Sequence, residues 1–206
     1  MNAAWAWPTF VADSGLTARM QNPSTQVGTS AGQVRGVESD GMLIWRGVPF
    51  AAPPVGALRH RPPAPPQSWA GVRTTVEVPA IAWQSPPPAG MPAPLGTPPP
   101  PPTDEDCLYL SVTRPDGPVP TGGLPVLVWI HGGGYITGSS ALDTDGVALA
   151  RQGLLVVSVA YRLGAFGFLH LGDLLGHPFA GSGAVGLADQ LHALRWVHDN
   201  ISGFGG

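Results

Sequence analysis

The stretch Leu124–Ser139, LPVLVWIHGGGYITGS, decides the fold. It opens on an apolar run, Leu124 to Ile130, interrupted only by Pro125. The run is too short to span a bilayer and rich in β-branched and aromatic residues, so it reads as a strand buried on both faces of a sheet. His131 and three glycines, Gly132, Gly133 and Gly134, follow at its carboxyl end. Glycine loses more conformational freedom on folding than any other residue, so three in succession need a local cause. A tight turn out of the strand is one cause. The other is bare backbone brought close to a ligand, with N–H groups aimed at an oxygen.

Composition narrows the function classes. The 206 residues suit one domain with a sizeable core. Charged residues make up 11% of the chain, the net charge is −3, and every basic residue other than histidine is arginine. With no basic cluster, nucleic-acid binding is disfavoured. The 29 glycines and 25 prolines imply a chain rich in turns and loops. The single cysteine, Cys107, rules out an intrachain disulfide. The N-terminus lacks a positive segment ahead of an apolar one, so no signal peptide is evident and a cytoplasmic location is favoured. No stretch is long enough for a membrane span. The six histidines form no metal-ligating pattern, and neither metal nor cofactor is expected.

Along the chain, residues 1–25 show no period and read as a disordered leader ahead of a domain spanning 26–206. In Gln33–Trp45, two β-like segments flank Ser39-Asp40-Gly41, a hairpin signal. The proline-dense stretch Arg46–Trp69 reads as an extended surface run pinned by Phe50, Leu58 and Trp69. Residues 85–102, SPPPAGMPAPLGTPPPPP, read as an exposed polyproline-like loop. The alternation of Leu108, Leu110 and Val112 marks a strand with one apolar face. Asp143–Gln152 reads as a short helix stopped by Gly153, and Leu154–Tyr161 as a second buried strand. Strand, helix and strand in this order predict a parallel βαβ crossover. Gly186–Ile201 reads as an amphipathic helix with the stripe Leu187, Leu191, Leu194, Val197 and Ile201. The class is α/β, an antiparallel hairpin followed by a parallel βαβ unit.

Several blocks in this order resemble the type-B carboxylesterase family, the cholinesterase-like branch of the α/β-hydrolase fold. They are RGVPFAAPPVGALRHRPP at Arg46–Pro63, EDCLYLSV at Glu105–Val112, and LPVLVWIHGGGYITGSS at Leu124–Ser140. YRLGAFGFL at Tyr161–Leu169, GLADQLHALRWVHDNI at Gly186–Ile201 and FGG at Phe204–Gly206 complete the set. The resemblance implies an N-terminal portion of an α/β-hydrolase domain and a carboxylic-ester hydrolase using serine-mediated acyl transfer. Gly133 and Gly134 match the family's oxyanion-hole glycines. Gly132 and His131 would shape the loop, with His131 a packed support rather than the general base. Arg46, Asp106, Arg162 and Asp189 are candidates for structural ion pairs.

The sequence departs from the family pattern in several places. Ile81-Ala82-Trp83-Gln84 holds no cysteine where the family has a partner for Cys107, which implies a free buried thiol. The nucleophile elbow, the catalytic acid and the histidine base are not found before Gly206, so the chain alone is expected to be inactive, truncated ahead of the triad. Gly28-Thr29-Ser30-Ala31-Gly32 matches G-x-S-x-G by letter, but polar residues precede it and a hairpin strand follows, so Ser30 reads as a turn serine. The partner implied is a small-molecule carboxylic ester. The rival reading is a non-catalytic relative acting as a protein-interaction module.

Overall fold

The computed structural model describes residues 23–86, 101–140 and 146–206. The proposed leader up to residue 22 and most of the proline-rich loop, residues 87–100, lie outside the described residues. Residues 141–145, within the predicted Asp143–Gln152 helix, do too.

Pro23–Thr25 form a 3₁₀ turn that leads into β1 (Gln26–Gly28), which pairs antiparallel with β2 (Gln33–Arg35). The turn already belongs to the fold: Thr25 is fully buried, and its carbonyl accepts hydrogen bonds from the Trp45 indole and the Gly36 amide. Gly36 follows, where a Cβ would run into the Ile44 carbonyl and the Trp45 ring. The chain resumes as β3 (Val37–Ser39) and returns as β4 (Met42–Pro49). Both turn residues have positive φ, Asp40 at 50° and Gly41 at 73°. That backbone twist matches the strands it joins and realises the hairpin read from Asp-Gly.

β4 continues past Trp45 through Pro49, so Arg46–Pro49 is sheet rather than a surface run. The continuation passes through a bulge between Trp45 and Val48, where Gly47 takes φ 67°. Phe50 is fully buried and Trp69 donates to the Gln33 carbonyl, so both pin the following segment as expected. β5 (Val72–Thr74) adds to β2 in parallel, and β6 (Ile81–Ala82) pairs with β7 (Thr103–Asp104).

The central sheet has the order β3-β4-β8-β10-β9, with β8 at Tyr109–Pro115, β9 at Val126–Ile130 and β10 at Leu155–Val159. β4 and β10 each run antiparallel to β8, and β9 joins β10 in parallel. Every residue of β10 is buried, as its apolar sequence predicts. β9 departs from its reading. Among the described residues it pairs only with β10, and Val126, Trp129 and Ile130 are each more than a third exposed. Its sequence is that of a central strand, but its position is an edge.

The connection between β9 and β10 contains one helical turn, α1 (Val147–Ala150), shorter than the predicted helix and closed by Gly153 at φ 85°. After β10 come the short helices α2 (Gly164–Phe168) and α3 (Gly172–Leu175), then the long α4 (Val185–Asn200). The stripe expected for α4 is buried only at its carboxyl end, at Val197 and Ile201. Val185, Gly186, Asp189, Ala193, Trp196, Val197 and Asn200 face inward, while Leu187, Leu191 and Leu194 are 43%, 56% and 41% exposed. The rotation follows from Asp189, fully buried against Arg162. Ionised carboxylates enter a core only when paired, so the pair dictates which face turns in. At the far end of α4, Phe204 meets the Trp45 ring edge-on at 5.0 Å and joins the helix to the sheet.

Candidate functional site

The parallel register pairs Val159 with Ile130, so β9 and β10 end side by side. Two residues beyond that pairing, Tyr161 lies against His131, the rings stacked at 4.4 Å and 14°. The Tyr161 hydroxyl donates to the His131 carbonyl at 2.9 Å. His131 is 3% exposed, and its Nδ1 lies 2.8 Å from the Gly132 carbonyl oxygen. It is a packed ring at the base of the loop.

From that base the loop projects outward, and Gly132 through Thr137 are all exposed. The Gly133 carbonyl accepts from both the Ile136 and Thr137 amides at 3.1 Å, folding the loop into a tight turn. Gly133 has φ 116° and Gly134 has φ 62°. A Cβ on Gly133 would overlap the Thr137 carbonyl oxygen, whereas Gly132 and Gly134 face open space. Among the described residues neither the Gly133 nor the Gly134 amide has a hydrogen-bond acceptor. The result is two adjacent backbone donors at the carboxyl end of a strand.

Tyr135, at φ 63°, accepts from the Gly164 amide at 2.7 Å through its carbonyl and packs against Phe168 at 4.9 Å. Gln84 and Gly138 form a reciprocal pair: the Gln84 amide nitrogen donates to the Gly138 carbonyl at 2.9 Å, and the Gly138 amide donates to Gln84 Oε1 at 3.0 Å. Sequence reading singled out none of Gln84, Tyr135 and Tyr161 as supports. The register between β9 and β10 carries the signal for Tyr161, but nothing local marks Gln84, which lies 54 residues from its partner.

Behind the loop, Arg162 and Asp189 form the buried ion pair anticipated for those positions, with bonds of 2.7 and 2.8 Å. Asp106 bonds to Tyr109, and burial raises its carboxyl above the usual range. Cys107 is a free buried thiol, and burial pushes its pKa up. A small cavity lined by His60, Trp83, Glu105, Arg162 and Phe166 contains no residue of the glycine loop.

Ser30 sits in the turn between β1 and β2, where its amide donates to Asn200 Oδ1 at 2.7 Å. It is followed by a strand rather than a helix, the geometry of a turn serine. The Ser182 hydroxyl accepts from the Leu171 amide. Among the described residues no group of three His, Cys, Asp or Glu side chains is placed to hold a metal ion. No helix among them is long and apolar enough to cross a membrane.

A family model described as the carboxylesterase family matches residues 23–206. The chain is 42% identical over 206 residues to fumonisin B1 esterase of Sphingopyxis macrogoltabida, covering 98% of this chain and 36% of that relative. It is 43% identical over 182 residues to para-nitrobenzyl esterase of Bacillus subtilis, covering 87% and 35%. Among solved structures, a Geobacillus stearothermophilus carboxylesterase superposes with a TM-score of 0.75 at 40% identity, over 88% of this chain and 35% of that one. The chain thus spans about a third of the length of the relatives it matches.

Proposed function

The chain belongs to the carboxylesterase family and carries an N-terminal portion of its α/β-hydrolase domain; from that premise we propose that it supplies the oxyanion-binding part of a carboxylic-ester hydrolase. The observation that carries the reading is the pair of exposed glycines Gly133 and Gly134 at the end of β9, whose amides have no acceptor among the described residues. In serine-mediated acyl transfer, negative charge collects on the substrate carbonyl oxygen as the tetrahedral intermediate forms. Donors fixed beforehand stabilise that charge without reorganising, and losing one costs about a hundredfold or more in rate. Gly133 and Gly134 take the donor role, and Gly132 and His131 shape the loop. Residues 26–206 act as part of one domain, and the substrate class is a small-molecule carboxylic ester.

No residue among 1–206 is assigned as nucleophile, acid or base. Ser30 is excluded by its hairpin, and none of Ser139, Ser140 and Ser182 sits in a G-x-S-x-G elbow. The test is a fluorophosphonate probe applied to the gene product that carries these residues. Covalent labelling, together with hydrolysis of a p-nitrophenyl ester, supports the hydrolase. Labelling should persist in Ser30→Ala. A folded, unlabelled product would instead place the protein among non-catalytic relatives.

A further inference from the structure

We propose that Gln84 is a positioning residue for the Gly132–Gly134 loop, holding its donors in place by clamping Gly138. This rests on the oxyanion reading of the loop. The clamp consists of the two bonds between the Gln84 side-chain amide and the Gly138 backbone, and Gln84 Nε2 also reaches the Ala82 carbonyl at 3.1 Å. Ala82 is buried in the short β6–β7 pair, so the glutamine is anchored at its own end as well. The clamp thus joins a fixed strand to the exit of the loop.

Gly138 is the point at which that exit folds back over the entry. At φ 118° its Cα faces the entry so closely that a Cβ would overlap His131 Nδ1 and the Gly132 carbonyl oxygen. A displacement of Gly138 therefore moves both His131 and the peptide that precedes the donors. Only a primary amide fits the role. It donates and accepts at once, whereas an ionised carboxylate only accepts and an aliphatic side chain does neither. Without it, the half-buried Gly138 N–H and C=O lose their partners.

The experiment is hydrogen exchange on the full chain, read at the amides of Ile136, Thr137 and Gly138, with Val112 and Val157 in the sheet as references. Gln84→Ala should raise exchange at the three loop amides by roughly tenfold or more while the sheet amides stay protected. Gln84→Glu should exchange faster than wild type at neutral pH. After correction for intrinsic rates, it should return toward wild type as the introduced carboxyl protonates and regains a donor. Such recovery on acidification is a signature that side-chain packing alone would not produce.

Loop exchange within twofold of wild type in Gln84→Ala would overturn the proposal, and so would Gln84→Glu without acid recovery. If Gln84→Ala also loosens the sheet amides, the pH series on Gln84→Glu decides. The readout involves no hydrolysis. Failed probe labelling with the exchange pattern intact would therefore overturn the esterase reading and leave the hold of Gln84 on the loop standing.

Discussion

The guanidinium of Arg162 meets the carboxylate of Asp189 in a fork, Nε to Oδ2 at 2.8 Å and Nη2 to Oδ1 at 2.7 Å, and the Arg162 amide adds a third bond to Oδ2 at 3.1 Å. Both side chains are almost wholly buried, at 3% and 0% exposure. Gly167 and Gly186 crowd the same residue: a Cβ on either would press on the Arg162 carbonyl oxygen. The segment leaving β10 is thereby locked to α2 and α4 directly behind the loop.

Breaking that pair from one side should be costly, because it strands a buried charge. Asp189→Ala is expected to destabilise the fold by about 3–5 kcal/mol. Replacing both partners with apolar residues, as in Arg162→Met with Asp189→Leu, should lose less than the single change. Chemical denaturation of the two variants and wild type checks the order.

The three glycines of the loop are not equivalent, and substitution should separate them. Gly133→Ala forces a side chain into left-handed backbone and into the Thr137 carbonyl, costing on the order of 1–3 kcal/mol. Gly132→Ala points into open space and should stay within about 0.5 kcal/mol of wild type. Thermal unfolding of both variants measures the contrast.

Among the described residues the outer edge of β9 is unpaired, and it should govern self-association. An unpaired apolar strand is a template for another strand, and a lysine on it blunts the pairing. Trp129 is 39% exposed on that edge. Trp129→Lys should raise the monomer fraction seen by sedimentation velocity, with a stability change of no more than about 1 kcal/mol. An unchanged association profile would show that the edge is not the contact.

Stability should fall on mild acidification, in part through His60. Burial lowers its pKa first, and the nearby Arg162 and Arg59 charges add to the effect. The unfolded chain then takes up protons near the usual value of 6.5 while the folded chain does not, so stability is complete above that value and declines below it. His192 is lowered by burial with the same sign, and Asp106, raised by burial, opposes both at lower pH. His60→Asn tolerates the residue's φ of 57° and removes its titration. Its urea midpoint should change less than that of wild type between about pH 7.5 and about pH 5.5. Equal changes would remove His60 from the account.

Elements whose neighbours lie close in sequence were legible without coordinates. Asp40-Gly41 announced its hairpin through a local backbone requirement, and the β9–loop–β10 order announced a parallel pair. Gly133 and Gly134 of the loop answer to a positive φ, a local requirement of the same kind, whereas Gly132 faces open space. The leucine stripe of α4 was misread because periodicity counts apolar residues and gives no weight to a buried ion pair. Asp189 needs Arg162, and that need turns Leu187, Leu191 and Leu194 outward. Gln84 was silent, because a lone glutamine beside a proline-rich tract has no pattern.

By itself, the sequence determined the strands of the central sheet, the hairpin, the glycine turn and the family to which their order belongs. All of these rest on short-range backbone preference and on block order. Only the tertiary structure decided which face of α4 is buried, and that Gln84 and Tyr161 hold the loop. Burial and hydrogen-bond pairing depend on distances between residues far apart in the chain. Those distances exist only once the sheet has brought its strands together.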